Sequence, residues 1–343
     1  MRHWKKQIRS RYLGLRGRPF ALIISGCCLT TSCVFGLKFM GGQESVSLLN
    51  TSSNNPVLRS NDRKNVWPPL MYGTAWKKEK TKELVVTAIK EGFEGIDVAN
   101  QPKHYREDLV GDALHELEQN FHISRSSLWI QTKFTPIAGQ DRSKPMPYKA
   151  DSKLEDQVDE SIQSSLRNLG KIDCLVLHSP LRTIKDTIRV WRRFEAAVDR
   201  GEIIQLGISN CYSLDILSAL YDAAKHKPKV LQNRFYRDSN YDQDLRSFCS
   251  QHDIIYQTFW TLTANGDKLR ADPIRQAATR LEATPPQILF AWLIKQGHQP
   301  LTGTTDLTHM RQDLKAPDLA EHLTPEEESS ISSLFITTSH HHP

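Results

Sequence analysis

The sequence predicts an α/β protein built as a (β/α)8 barrel. Short apolar runs alternate with amphipathic stretches from Leu70 onward, and eight such units fill roughly 250 residues, the usual size of this barrel. The runs are rich in Val, Ile and Leu without strict alternation, which is typical of parallel strands covered on both faces. No Gly-x-Gly-x-x-Gly motif follows a predicted strand, and this counts against an open, doubly wound sheet.

Each predicted strand is a short apolar run, and each predicted helix is an amphipathic stretch between two runs. The strands are Met71–Thr74, Gly95–Ala99, Leu128–Phe134, Asp173–Ser179, Ile203–Ser209, Val230–Phe235, Ile254–Trp260 and Gln299–Thr304. The helices include Lys80–Glu91, Leu154–Leu169, Ile184–Arg200, Leu214–Lys225 and Pro286–Lys295. In such a barrel the chemistry lies at the carboxyl ends of the strands, and we expect the interior below to be aliphatic.

The N-terminal leader differs in charge from the rest of the chain. Of the 45 lysines and arginines, eight lie in the first 40 residues, and no acidic residue precedes Glu44. The remainder carries 37 basic and 39 acidic residues, so the formal charge of +6 belongs to the leader. This charge therefore does not indicate a nucleic-acid partner, and none is expected.

An uncharged run over residues 19–37 follows seven basic residues. A helix of this length reaches about 28 Å, close to the hydrocarbon thickness of a bilayer. We therefore predict a basic flank at residues 1–18 and a transmembrane signal anchor at residues 19–40, with the barrel on the lumenal side. The sequon Asn50-Thr51-Ser52 is consistent with that side. A cleaved organellar transit peptide is the alternative, because the leader is rich in arginine and has no acids.

The remaining parts of the chain follow from composition. Residues 41–65 are rich in serine and asparagine and are predicted to be a flexible stalk. The barrel is predicted over residues 66–335, and residues 336–343 form a tail. The six cysteines have neither the spacing of a zinc site nor that of a disulfide framework, so no metal is expected.

Chemically distinctive side chains lie at the carboxyl ends of the predicted strands. They are Asp97, Lys133, His178, Ser209, Asn210, Gln232, Phe259 and the run Thr302–Thr305. An acid, a lysine, a histidine and an amide that converge on one mouth of a barrel indicate an active site.

Five stretches carry a resemblance to a known family: GFEGIDVANQPKHYREDLVGDAL, LWIQTKF, DCLVLHSP, IIQLGISN and KPKVLQNRF. In this order they resemble the aldo-keto reductases, from about Gly73 to Leu334. Each motif is weak alone, but each lies on the strand where the family has it. The resemblance implies that an aldehyde or ketone is reduced to an alcohol by hydride from a nicotinamide cofactor.

The resemblance implies a catalytic tetrad of Asp97, Tyr105, Lys133 and His178. Hydride delivery to a carbonyl carbon builds negative charge on the oxygen, which requires a donor already in place. A phenol with a pKa of about 10 is a poor acid at pH 7 unless a nearby cation favours its ionised form. Lys133 would supply that cation and Asp97 would pair with it, while His178 would orient the carbonyl. Family members that reduce carbon–carbon double bonds carry an acid at the histidine position, so His178 favours carbonyl reduction.

The position of Tyr105 departs from the family pattern. Members commonly have this tyrosine five residues after the aspartate, where this chain has Pro102, whereas Tyr105 lies eight residues after Asp97. Glu107 and Val110-Gly111 follow Tyr105 in the way that similar residues follow the family's tyrosine. A longer loop of the QPKHY type explains the difference.

The resemblance also implies a nicotinamide nucleotide across the barrel mouth. The matching positions are Gly73, Thr74, Ser209, Asn210, Gln232, Phe259, Thr302, Gly303, Thr304 and His309. The hydroxyl and amide groups offer the donors and acceptors that a carboxamide requires, and small residues let a cofactor approach the backbone. Phe259 matches the ring that stacks on nicotinamide, and Trp260 is the competing assignment.

The phosphate end of this match is incomplete. Many members read the 2′-phosphate of NADPH with a lysine, a serine and an arginine, where this chain has Gly303, Thr304 and His309. A helix N-terminus still offers N–H groups to a phosphate, and Arg311 follows closely in sequence. We expect NADPH, with NADH as the alternative because two positive charges are missing.

The predicted substrate is a small carbonyl compound, in a pocket lined by Trp76, Phe134, Trp260 and the loop of residues 135–152. A second function is open at this point. Family relatives act beside ion channels, so the chain could be a membrane-anchored, cofactor-binding regulatory or redox-sensing subunit with little turnover. An intact tetrad favours the enzyme.

Overall fold

Eight short runs of mostly buried residues form eight parallel strands that close a barrel in sequence order. The computed structural model describes residues 67–336. The strands are β1 (Met71–Gly73), β2 (Gly95–Asp97), β3 (Trp129–Phe134), β4 (Ile172–Leu177), β5 (Ile203–Ser209), β6 (Val230–Arg234), β7 (Ile255–Phe259) and β8 (Gln299–Thr302). The predicted (β/α)8 barrel is therefore confirmed.

Twelve α-helices are present in the described residues, and most of them lie between consecutive strands. They are α1 (Thr81–Glu91), α2 (Glu107–Phe121), α3 (Leu154–Leu169), α4 (Ile184–Asp199), α5 (Leu214–Ala223), α6 (Gln243–Gln251), α7 (Thr261–Ala264), α8 (Asp272–Arg280), α9 (Pro285–Lys295), α10 (Leu307–Asp313), α11 (Ala316–His322) and α12 (Pro325–Ser333). Short 3-10 helices occur at Lys78–Lys80, Arg125–Ser127, Ile137–Gly139, Arg237–Asp242 and Lys268–Arg270.

Helix α3 shows how the sequence sets these elements. Val158, Ile162 and Leu169 are buried on one face, at the spacing of an amphipathic helix. The helix ends at Gly170, whose φ of 73° is a conformation that glycine adopts without steric cost. Its buried face packs against β3 and β4 and so fixes the strands that carry the candidate site.

The amino end of the barrel is closed by the first described residues. The Trp67 and Trp129 rings lie 4.2 Å apart, and the carbonyl of Pro68 accepts a hydrogen bond from the buried side chain of Gln299. Gly95 lies against this closure, where a Cβ atom would come within 2.4 Å of Met71 Sδ. Glycine at the start of β2 therefore leaves the space that the side chains of Met71 and Pro68 fill.

The predicted membrane anchor and stalk lie outside the described residues, as does the tail apart from Ile336. Within residues 67–336 no helix is both long enough and apolar enough to cross a bilayer.

Candidate active site

Asp97 and Lys133 end neighbouring strands and form a buried ion pair. Lys133 Nζ lies 2.7 Å from Asp97 Oδ1, 2.6 Å from Oδ2 and 2.9 Å from the carbonyl oxygen of Val98. All three ammonium hydrogens can therefore be satisfied, which a buried charge requires. Burial lowers the pKa of Lys133, and the carboxylate of Asp97 opposes that change. The pair places a fixed cation directly beneath the barrel mouth.

The barrel interior below this pair is only partly aliphatic, so the prediction of an aliphatic interior was wrong in part. Four buried glutamines form a hydrogen-bonded chain, which we call the glutamine chain: Gln131, Gln232, Gln257 and Gln299. Gln131 Nε2 lies 2.7 Å from Asp97 Oδ1, and Gln232 Nε2 lies 2.9 Å from the same atom. The chain runs from the ion pair to the carbonyl of Pro68 at the opposite end of the barrel.

Tyr105 lies above the ion pair, on the loop that follows β2. The centroid of its ring is 5.3 Å from Lys133 Nζ and 6.1 Å from that of the His178 ring. Burial, and then the negative charge of Asp97, raise the pKa of the Tyr105 phenol. The structure thus brings the four predicted tetrad side chains to one place, although Tyr105 is three residues farther along than usual.

The longer loop is held by hydrogen bonds at several points. The amide nitrogens of His104 and Tyr105 both lie 3.0 Å from the carbonyl oxygen of Gln101, forming a turn. Gln101 Nε2 donates to the carbonyl of Gly139 at 2.7 Å, and the amide of Trp76 donates to the carbonyl of His104, also at 2.7 Å.

Glu107, two residues after Tyr105, anchors the far end of the same loop. Its buried carboxylate accepts hydrogen bonds from Thr132, from Ser165 at 3.0 Å and from Asn168 at 3.0 Å. Gly111 allows α2 to lie this close to α3, because a Cβ atom there would lie 2.1 Å from the carbonyl oxygen of Asn168. The start of α2 is therefore fixed against β3 and α3.

His178 follows β4 and faces the same space. Its Nδ1 lies 2.6 Å from Thr135 Oγ1, and its backbone amide donates to the carbonyl of Phe134 at 2.9 Å. Burial, followed by the positive charge of Lys133 and that of His104, lowers the pKa of His178 to about 3. The imidazole is thus neutral at pH 7, with Nε2 on the side of the ring away from Thr135.

The side chains predicted to bind the nicotinamide end are tied to one another. Ser209 Oγ donates to the carbonyl of Gln232 at 2.8 Å, and Asn210 Nδ2 donates to the carbonyl of His178, also at 2.8 Å. Thr74 Oγ1 donates to the carbonyl of Asp97 at 2.8 Å. The amide of Gln232, by contrast, faces Asp97 and Gln257 within the barrel.

At the end of β8 the predicted phosphate-binding residues are only partly available. Thr302 Oγ1 donates to the buried carboxylate of Asp313 at 2.7 Å. Gly303, Thr304 and His309 are exposed or partly exposed at the rim. Asp306 caps α10 by accepting from the amide of His309 at 3.0 Å, so a carboxylate already occupies this helix N-terminus.

Two cations near this rim behave differently. Arg311 is paired with Glu91 on α1, at 2.7 Å, and is directed away from the mouth. Lys77, which sequence reasoning missed, donates its ammonium to the carbonyl of Gly303 and forms no ion pair within residues 67–336. Burial lowers the pKa of Lys77. A Cβ atom on Gly303 would lie 3.6 Å from Lys77 Nζ, so this ammonium stands beside the position where many relatives have their lysine.

The predicted aromatic lining is partly corrected by the structure. Trp76 and Trp260 are 65% and 51% exposed at the rim. The Trp76 ring lies 3.9 Å from the His104 ring at a tilt of 37°, and the guanidinium of Arg234 lies 4.5 Å from the centre of a Trp260 ring. Phe134 is completely buried and packs on Tyr148 and Phe194. Because Lys133 points into the barrel, its neighbour in the strand points outward to the helices. Phe134 therefore does not line the mouth.

Sequence reasoning missed Gln131, Gln257 and Gln299 as well as Lys77. For Gln131 a signal was present, since it lies two residues before Lys133 and so shares its face of β3. For the others, the contacts depend on how the barrel closes.

The chain forms a closed (β/α)8 barrel, and the buried ion pair, the Tyr105 phenol and the neutral His178 imidazole lie at the carboxyl ends of its strands. Enzymes with this fold have their active sites at that end of the barrel. The model of the Aldo/keto reductase family matches residues 69–335. The chain belongs to this family and is an NAD(P)H-dependent oxidoreductase.

Known relatives agree with this assignment. An uncharacterised oxidoreductase of Schizosaccharomyces pombe is 28% identical over 233 residues, which is 67% of this chain and 75% of the relative. The NAD/NADP-dependent indole-3-acetaldehyde reductase of the same yeast is 27% identical over 265 residues, 72% of this chain and 84% of that protein. Among solved structures, an aldo-keto reductase from a deep-sea metagenome library shares the fold, with a TM-score of 0.66 at 23% identity, covering 79% of this chain and 92% of its own.

Proposed function

We propose that this protein reduces an aldehyde or ketone to the alcohol, with Tyr105 as the proton donor. The observation that carries the proposal is the Asp97–Lys133 pair directly below Tyr105, with the neutral His178 beside it. A bound nicotinamide cofactor supplies the hydride for the carbonyl carbon, and the proton for the carbonyl oxygen comes from the chain itself.

The electrostatics support this division of labour. Because burial and Asp97 raise the pKa of Tyr105, the resting phenol keeps its proton. As charge builds on the substrate oxygen, the phenol gives up its proton, and the Lys133 ammonium stabilises the phenolate that remains. A donor or cation placed in this way is worth about 2–4 kcal/mol of transition-state stabilisation.

His178 is suited to orienting the carbonyl rather than carrying charge. With a pKa of about 3 the ring stays neutral, so it offers a hydrogen bond without competing with Lys133 as a cation. When the Thr135 hydroxyl donates to Nδ1, the proton of the ring lies on Nε2, where it can point at a substrate oxygen.

NADPH is the cofactor that we propose, with NADH as the alternative to be tested. The donor set suits a nicotinamide dinucleotide, because Ser209 and Asn210 offer hydroxyl and amide groups. Gly73 at the end of β1 and Gly303 just after β8 have no side chain, so a cofactor can approach the backbone there. Lys77 supplies a cation between those two strands for a phosphate. The Asp306 carboxylate opposes a 2′-phosphate at α10, so we expect only a modest preference for NADPH over NADH.

The substrate class that we propose is a small aldehyde or ketone with apolar or aromatic substituents. The exposed rings of Trp76 and Trp260 stand at the rim, and aromatic rings stack on flat apolar substrates. A relative that is named for reducing indole-3-acetaldehyde is consistent with this choice.

We also propose that residues 19–40 anchor the protein in a membrane with the barrel on the lumenal side. The support is the uncharged run of the sequence and its basic flank. Extraction of membranes with alkaline carbonate tests it, because a spanning segment stays with the bilayer while a processed barrel is released.

The experiment that tests the function is a titration of the protein with NADPH and with NADH, followed by tryptophan fluorescence, and then addition of a panel of aldehydes and ketones. Binding with turnover supports the reductase. Binding without turnover of any carbonyl would favour the anchored regulatory subunit instead, and an absence of binding would contradict both.

A further inference from the structure

The glutamine chain is unusual for the inside of a protein. Gln131, Gln257 and Gln299 have no measurable exposure, and a buried amide costs free energy unless its donors and acceptors are satisfied. Aliphatic side chains would fill the same space without that requirement. The amides do satisfy one another, and the end of the chain at the barrel mouth is the carboxylate of Asp97.

The direction of the amides follows from that carboxylate. An ionised carboxylate only accepts hydrogen bonds, so the nitrogen of each adjoining amide must face it. Gln131 Nε2 donates to Asp97 Oδ1 at 2.7 Å and to Gln257 Oε1 at 2.8 Å, and Gln257 Nε2 returns a bond to Gln131 Oε1 at 3.0 Å. Gln257 is fixed in turn by Gln299 Oε1 at 2.6 Å. Turning the amide of Gln131 over would break all three of its bonds.

The two oxygens of Asp97 have different surroundings. Oδ1 receives Lys133, Gln131 and Gln232, whereas Oδ2 lies 2.6 Å from Lys133. A partial rotation of the carboxylate out of this plane would lengthen its contacts with Lys133 and with both amides, and so loosen the ion pair. The amide of Gln131 opposes such a rotation because it holds Oδ1 from inside the barrel.

We propose that Gln131, backed by Gln257, is a positioning residue for the proposed carbonyl reduction, and that it holds the Asp97 carboxylate so that both oxygens meet Lys133. This inference rests on the proposed function. Without the amide, Oδ1 keeps only Lys133 and Gln232 as donors and the carboxylate is held less firmly. The ammonium is then less well placed under Tyr105, and the phenolate left by proton donation is stabilised less. The effect passes through Asp97, so it concerns the chemical step and not the binding of cofactor or substrate.

The test compares Gln131→Leu and Gln257→Leu with Gln205→Leu as a matched control. Gln205 lies on β5, and its Oε1 is buried without a hydrogen-bond partner within residues 67–336, so the same change there leaves the chain of amides intact. Steady-state reduction of an aldehyde that the unaltered protein turns over is measured from pH 5 to 10. Cofactor affinity is measured by fluorescence, and thermal unfolding shows that each variant folds.

We expect Gln131→Leu to lower kcat by about tenfold or more, with cofactor affinity and KM changed by about twofold at most. Gln257→Leu should lower kcat by roughly threefold, since it acts one bond farther away, and Gln205→Leu should not lower it. In Gln131→Leu the alkaline limb of the kcat profile should move to lower pH. The reason is that burial lowers the pKa of Lys133 and a displaced carboxylate opposes this less.

If Gln131→Leu matches the Gln205→Leu control in kcat and pH profile, the glutamine chain only fills the barrel and the inference is wrong. Should Gln131→Leu fail to fold, Gln257→Leu decides in the same way against the control. Absence of turnover in the unaltered protein would overturn the proposed function and this inference with it. That result differs from failure of the inference alone, in which the unaltered protein turns over the aldehyde and Gln131→Leu does so equally well.

Discussion

Tyr105 and Lys133 illustrate how neighbouring residues set each other's protonation. Burial and Asp97 raise the pKa of the Tyr105 phenol, and the same carboxylate opposes the lowering of the Lys133 pKa by burial. Asp97 therefore favours the protonated forms of both Tyr105 and Lys133 before the reaction. The Lys133 cation then stabilises Tyr105 once the phenol has given up its proton.

We predict that Tyr105→Phe abolishes carbonyl reduction and leaves cofactor binding intact. The change removes the hydroxyl that donates the proton but keeps the ring that packs beside Lys133 and His178. Turnover is followed by the loss of cofactor absorbance, and binding by fluorescence. Tyr221→Phe, on α5 and far from the mouth, is the matched control, and near-normal turnover in Tyr105→Phe would show that the tyrosine assignment is wrong.

A second prediction concerns Lys77, the cation beside Gly303. Lys77→Met keeps the length of the side chain and removes the charge, so the dissociation constants of both NADPH and NADH should rise by about tenfold, and their dependence on salt should weaken. Lys80→Met, an exposed neighbour in the same segment, serves as the control. Equal affinities in the two variants would exclude Lys77 from the phosphate site.

At the scale of elements, most strand and helix positions could be predicted from the sequence. β5 and α3 were predicted with the bounds that the structure shows, and the other predicted strands differ by one to three residues. Apolar runs mark buried strands reliably, but composition does not show which residue makes the last hydrogen-bonded pair with the neighbouring strand. Phe134 is a different case, because β3 was predicted to end at this residue and does. Successive side chains of a strand point to opposite faces, so Phe134, next to Lys133, faces the helices.

The contact between β8 and α10 leads to a prediction on pH. Burial raises the pKa of Asp313 from its usual value of 3.8 to about 6, although the Thr302 hydroxyl donates to it. The folded state therefore binds this proton more tightly than the unfolded state. The resulting stabilisation is complete below pH 3.8 and is lost as the pH rises through 6.

Asp313→Asn should consequently raise the Tm at pH 7, where the buried carboxylate is charged, and the gain should vanish near pH 4. The amide oxygen can still accept from Thr302, so the contact itself is kept. Thermal unfolding at several pH values measures this, with Asp318→Asn, an exposed acid on α11, as the control. A gain that is the same at pH 4 and pH 7 would contradict the argument.

At the scale of the whole molecule, the sequence predicted the barrel and the strand ends that carry the candidate site, but not its polar interior. Gln131, Gln257 and Gln299 come from three strands, and their contacts depend on the stagger with which the barrel closes. Nothing in the local pattern of β3 or β7 fixes that stagger. The same holds for Lys77, which meets Gly303 only because β1 pairs with β8.

Closure of the barrel gives a prediction on its amino end. Deletion of residues 1–65 should leave a folded protein with unchanged cofactor affinity, since the family match begins at residue 69 and Trp67 and Pro68 close the amino end of the barrel. Deletion of residues 1–69 removes Trp67 and Pro68 as well, and should destabilise the fold by roughly 2–3 kcal/mol. Thermal unfolding of the two proteins measures the difference, and an insoluble first variant with exposed apolar surface would mean that the leader is part of the fold.

The anchoring of Glu107 has a consequence for how this loop can change during evolution. Because the carboxylate is bound to β3 and α3, Tyr105 is held from the residue that follows it by two as well as from the turn at Gln101. An insertion that keeps the Gln101 turn and Glu107 in place can then lengthen the wall of the mouth and leave the phenol where it is. Loop length and the geometry of proton donation become separate properties, so a lineage can alter which molecules enter the barrel without rebuilding the group that we propose reacts with them.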